Sequence, residues 1–168
     1  MFLNLMASEI GEKSGALNWF GRFRTKKGRV DLKIGGLFPI VAGGRVLALR
    51  LGSTSLSSRD RWQDAFSAGI IVEEDFGRLL DAHEMILGLM LDQQLEDLAN
   101  GLPATSQVEV RRLLDLEQDR LKEALHLVGQ IDLLVKNALM DVVHRPAQVD
   151  AGCARKATRR PGTRTLPE

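Results

Sequence analysis

Two runs, Glu73 to Asn100 and Asp115 to Val142, contain no proline and repeat apolar residues every three or four positions. That spacing gathers apolar side chains on one stripe of an α-helix, and such a helix is stable only when the stripe is covered. In the first run the stripe reads Phe76, Leu79, Leu80, His83, Ile86, Leu87, Met90, Leu91, Leu95 and Leu98. Glu73, Glu74 and Asp75 stand in its first turn, where the helix dipole favours negative charge, and Gly101 ends it. In the second run Leu121, Leu125, Val128, Ile131, Val135, Leu139 and Val142 share a face, with Asp115 and Gln118 as the expected capping pair. Two long one-sided helices predict an all-α protein, an antiparallel helical bundle.

The rest of the chain fits around that pair. Phe2, Leu5, Met6 and Ile10 have helical spacing without a cap before them, and Gly11 to Gly15 is expected to break the helix. Residues 18–36 carry frequent glycines and the alternation Val30-Asp31-Leu32-Lys33, which predicts a short extended N-terminal segment. Pro39 suits the first position of a further helix, which runs to Gly52. Gly43-Gly44 inside it costs roughly 1 kcal/mol per glycine relative to alanine, so a neighbouring helix or a ligand is expected to come close to the backbone there. Ser57 and Asp60 form a capping signal for a short helix ending at Gly69. These elements make one domain, residues 1–144; residues 145–168, without periodicity and rich in Arg, Thr, Gly and Pro, read as a disordered basic tail.

Charge is divided along the 168 residues although the total is only +1. Residues 1–62 hold eleven Lys/Arg against four Asp/Glu, while residues 63–144 hold six against sixteen. Either the basic block is a phosphate-binding face or the two blocks neutralise each other when packed. No stretch of eighteen uninterrupted apolar residues predicts a membrane span, and the first residues carry no secretion signal, so a cytoplasmic location is expected. The single cysteine, Cys153, excludes an internal disulfide framework. A nucleic acid partner is not expected, because the basic tail has no aromatic residue to stack a base.

Catalytic patterns mostly fail. Nucleotidyl transfer needs two or three carboxylates around Mg²⁺ and a Gly-Ser turn at the triphosphate. Gly52-Ser53 is followed by no strand-borne Asp-x-Asp, and Asp115-Leu116-Glu117 stands at a helix start, where side chains two apart diverge. Glu123 and His126 give one Glu-x-x-His, but His83 has Leu80 where a second glutamate would stand, so they read as an exposed Glu and a partly buried His. Neither glycine pair, 35–36 or 43–44, spells a phosphate loop.

A longer string carries more information. GRVDLKIGGLFPIVAGGRVLALRLG (28–52), SSRDRW (57–62), the Gly69 break, LLDAHEMILGLMLDQQLEDLANGLP (79–103) and DRLKEALHLVGQID (119–132) resemble the nucleotidyltransferase substrate-binding domain family of bacteria. The likeness runs over about residues 1–144. It implies the C-terminal helical domain of a cyclic-nucleotide- and CBS-linked signalling protein, whose catalytic half is similar to the uridylyltransferase of the nitrogen-signalling PII protein. The chain begins inside what resembles the helix joining the halves. The expectation is therefore a partner catalytic domain, in cis or in trans, with Mg²⁺ and a nucleoside triphosphate bound there and no cofactor bound by this chain.

Within that frame the expected acceptor-binding residues are the matched polar ones: Asp31, Lys33, Arg45, Arg61 and Gln94. Lys33 suits a phosphate or acidic acceptor, and Arg45 a bidentate contact to phosphate or carboxylate. The structural alternatives are an Asp31–Arg45 ion pair, an Arg61 pair with the acidic helix that follows, and Gln94 at a helix–helix contact. Two functions follow. One is a substrate-binding domain that presents an acceptor to a catalytic domain; the other is a non-enzymatic interaction module, including a homodimer through the long helices.

Overall fold

The computed structural model describes residues 2–13, 15–18 and 20–140, so the basic tail and Val142 lie outside the described residues. Five helices dominate: α1 (Phe2–Lys13), α2 (Phe38–Leu51), α3 (Ser58–Ser67), α4 (Glu73–Ala99) and α5 (Asp115–Met140). Two three-residue strands, β1 (Arg29–Asp31) and β2 (Gln107–Glu109), pair antiparallel with Val30 opposite Val108. The protein is mainly helical, as the apolar periodicity predicts. Helix α1 continues through Gly11 to Lys13, two residues past the expected break.

Helix α2 is the centre of the packing. It contacts α1, α3 and α5, and Ile40, Val46 and Leu47 are almost completely buried. Together with the π-helical turn Lys33–Leu37 before it, α2 forms a continuous helix of 19 residues. Among the described residues this is the one helix long and apolar enough to cross a membrane, and its buried residues lie in the core. Gly43 and Gly44 explain the close approach. A Cβ at Gly43 would stand 2.6 Å from Ile131 Cγ2, and one at Gly44 would stand 3.0 Å from Trp62 Nε1. A neighbouring helix, not a ligand, needs the glycines. Their flat surface admits the Trp62 indole, whose N–H donates to the Ile40 carbonyl at 2.9 Å.

Two expectations about local structure are corrected. Val30 and Leu32 are buried while Lys33 is exposed, so the alternation is real, but the extended backbone stops at Asp31 and Lys33 is helical. The Asp31 carboxylate ends the strand by accepting the Ile34 N–H at 3.1 Å. At the start of α5, Asp115 and Gln118 do not cap each other. Glu117 accepts the Leu114 N–H at 2.8 Å, the return half of a capping box, and the Gln118 amide donates to the Leu113 carbonyl. The Ser57 cap forms as expected, accepting the Asp60 N–H at 3.0 Å.

The α4 stripe is also split. Leu79, Ile86 and Met90 are buried, as is Ala82, but Leu87, Leu91, Leu95 and Leu98 are 41–60% exposed. Gln93 and Asp97 are buried in their place, because the β1–β2 pair lies against this part of α4 and brings polar partners with it.

Candidate functional site

The five matched residues lie on four elements and do not form one cluster, although Arg61 packs against α2 at Gly44, beside Arg45. Lys33 and Arg45 are both exposed and stand twelve positions apart on one continuous helix, about 18 Å along its axis at 1.5 Å per residue. Asp31 does not pair with Arg45; its carboxylate takes the Ile34 N–H and the Ser106 hydroxyl, at 3.1 and 3.2 Å. Arg61 does not reach the acidic helix. Its Nε donates to the Ser55 carbonyl at 3.0 Å, and Arg59 instead forms the exposed pair with Glu84. Gln94 is half-buried, next to the fully buried Gln93.

Three surfaces carry chemistry. The first is the corner between α2 and α3, where Gly52 takes the left-handed conformation at φ 66° and turns the chain outward. An open groove of about 520 Å³ follows, lined by Ser53, Thr54, Ser55, Ser67 and the Asp64 carboxylate. Ser53 donates a short hydrogen bond to Asp64. Hydrogen bonds from Ser53 and then Ser55 hold the Asp64 carboxyl below the usual carboxylate range, against a smaller opposing effect of burial. A hydroxyl-rich groove with one ionised acid suits a polar or cationic group. Arg61 shapes it by fixing the Ser55 carbonyl.

The second is a groove of about 140 Å³ between α4 and α5, with Arg78, Asp81, Arg120 and Glu123 around a floor of Ala82, Met85, Ala124 and Leu127. Glu123 is exposed there, and His126, expected to be partly buried, is exposed too, its Nε2 3.3 Å from the Gln130 amide. His83 is the half-buried histidine of α4. Burial holds its imidazole below the ordinary value, opposed by nearby Glu84.

The third is a polar cluster that the sequence reading misses. Asp97, 2% exposed, accepts both arms of the Arg29 guanidinium at 3.2 and 3.3 Å and the Gln93 amide N–H at 3.0 Å. Gln93 in turn accepts the Glu109 backbone N–H at 3.0 Å. Arg29 chiefly, with Gln93 and the Thr105 backbone, keeps the Asp97 carboxyl below its usual range against the cost of burial. This cluster fastens the strand pair to α4. An aspartate four positions after a glutamine, in helical register with Leu79, Ile86 and Met90, was the available signal.

These arrangements do not supply a catalytic metal centre. Among the described residues no group of three or more His, Cys, Asp or Glu side chains is placed to hold a metal ion. No such donor set for Mg²⁺ stands among the described residues, and no chemical step is assigned to these side chains. In comparisons with known proteins, a family model described as "Putative nucleotidyltransferase substrate binding domain" matches residues 1–138. No curated protein and no solved structure matches significantly.

Proposed function

The chain belongs to the nucleotidyltransferase substrate-binding domain family, and from that membership we propose that it is the helical domain of a nucleotidyltransferase-like signalling protein, presenting an acceptor to a catalytic domain supplied in cis or in trans. The observation that carries the reading is the extent of the family match, which takes in every element through nearly all of α5. On this reading α4 and α5 are an antiparallel pair: groove walls match residues 75–79 with 127–134, and 78–85 with 120–127. Mg²⁺ and the nucleoside triphosphate belong to the catalytic domain, and this chain's contribution is orientation of the acceptor, which turns a bimolecular encounter into an intramolecular one. Lys33 and Arg45 are the exposed cations offered to an acceptor's anionic groups, at two separated points of contact.

A second reading has its own observation. The exposed leucines of α4 form a row at helical spacing, which suits docking against the catalytic domain and equally suits a non-enzymatic module that pairs with another copy. The test is direct. Purified chain with Mg²⁺ and each nucleoside triphosphate should release no pyrophosphate. Addition of a nucleotidyltransferase catalytic domain from the same organism should give transfer that depends on this chain. Robust release by the chain alone, or transfer that ignores its presence, would refute the first reading.

A further inference from the structure

Few cations of the basic block pair directly with the acidic one. Among its described residues only Arg29 and Arg59 form ion pairs, with Asp97 and Glu84. Arg22, Arg24, Lys26 and Lys27 are all exposed and belong to none of the ion pairs among the described residues. Neighbours among these four like charges, one or two positions apart, lie inside the screening distance of about 8–10 Å and repel, so their concentration is unfavourable without an anion.

The backbone nevertheless holds them together. Asn18 makes one turn, its side-chain oxygen accepting the Phe20 and Arg22 N–H groups at 3.0 and 2.9 Å, and Leu17 bridges Phe23. Lys26 and Arg29 close a second, two-residue turn with hydrogen bonds at 2.8 and 3.2 Å. Its central residues, Lys27 and Gly28, have φ 55° and 81°. That is the mirror-image hairpin turn, whose first place favours Asn, Asp or Gly over a lysine. Lys27 therefore holds a cation at the tip against the conformational preference of its backbone.

Along the intervening run Arg22, Arg24 and Lys26 are all exposed. Phe23 among them is half-buried, with the Lys122 ammonium 5.9 Å from its ring centre. Cations two positions apart along the chain stand at most about 7 Å apart at Cα, the reach of fully extended backbone, close enough for two of them to straddle a triphosphate. Phe20, two positions before Arg22, is 81% exposed. Cations in a row beside an exposed ring form the combination that binds phosphates and stacks a base.

We infer that the segment from Phe20 to Gly28 is a nucleotide-binding finger: Arg22, Arg24, Lys26 and Lys27 engage the phosphates of a nucleoside triphosphate, and Phe20 stacks on its base. The choice of nucleotide rests on the proposed function. A surface segment of exposed cations suits a triphosphate already seated in a partner's cleft, so affinity in the isolated chain is weak.

The experiment titrates the full chain, by calorimetry without metal, with UTP, ATP, inorganic tripolyphosphate and a thymidine oligonucleotide. Wild type should bind the nucleotides more tightly than tripolyphosphate. Phe20→Ala should erase that preference, a loss of about fivefold or more. The combined R22A/R24A/K26A/K27A variant, its helicity checked by circular dichroism, should lose both nucleotide and tripolyphosphate. Equal binding by wild type and the charge variant, or no binding by either, overturns the inference; so does preference for the oligonucleotide over the triphosphates. The two proposals fail separately. Transfer with a supplied catalytic domain that is unaffected by the fourfold substitution removes the finger and leaves the acceptor reading standing. Absent transfer with wild type removes that reading, while the titration still decides the finger.

Discussion

Helices α2 and α4 are both rich in apolar residues, yet they use them differently. Helix α2 buries Ile40, Val46, Leu47 and Ala48 and brings Trp62 and Ile131 onto Gly43 and Gly44, so its position is set by interatomic distance. Helix α4 buries Leu79, Ile86 and Met90 in its first two thirds, then turns Gln93 and Asp97 inward and leaves four leucines outside. Where polar partners occupy the inner face, apolar residues remain for an outer one. The first helix commits its apolar residues to the core, and the second keeps a row of them exposed.

The strongest way to break that contrast is Gly43→Ala. Helix propensity alone favours alanine by about 1 kcal/mol. The packing argument says the opposite, since the new methyl meets the buried, β-branched Ile131 at 2.6 Å, and overpacking of this kind costs about 1–3 kcal/mol. Urea unfolding should show a net loss of stability, and a gain would mean that the helices slide apart without penalty.

A smaller effect is expected at the polar half of α4. The folded carboxyl of Asp97 titrates below its unfolded value of 3.8. Its contribution is therefore complete at neutral pH and disappears as the pH falls from about 5 through the depressed folded value. Asp97→Asn should be less stable than wild type near neutrality, and the two curves should converge in acid. Parallel stability curves across that range would show that Arg29 does not depend on the charge.

The smallest effect on stability, and the sharpest on contact, is expected from Leu91→Ser with Leu95→Ser. Exposed substitutions usually shift stability within about 0.5 kcal/mol each. Association with a catalytic domain or with a second copy, followed by analytical ultracentrifugation, should weaken. Unchanged association, or a large loss of stability, would place the docking surface elsewhere or show that these leucines are core.

Much of this was legible in the chain. The Ser57 cap, the stops at Gly52, Gly69 and Gly101, and the extents of α3 and α4 follow from local rules, because each depends on residues a few positions apart. The glycine pair of α2 announced a close approach but could not name Trp62 and Ile131, which arrive from other helices. Strand β2 escaped notice because three residues are too short to display alternation. Gln93 was overlooked in favour of Gln94 for a similar reason: helical spacing alone leaves both near the edge of the stripe, and Arg29 and the Glu109 N–H select the former.

The amino-acid order thus determined the number and kind of the main helices, the segregation of charge and the family resemblance, since periodicity, caps and motif strings are properties of neighbours. Tertiary structure decided which face of α4 turns inward, how far apart Lys33 and Arg45 stand, and which cations find partners. Those outcomes depend on segments some 70 positions apart meeting in space, as Arg29 meets Asp97, and on whether each buried polar group finds a hydrogen bond when they do.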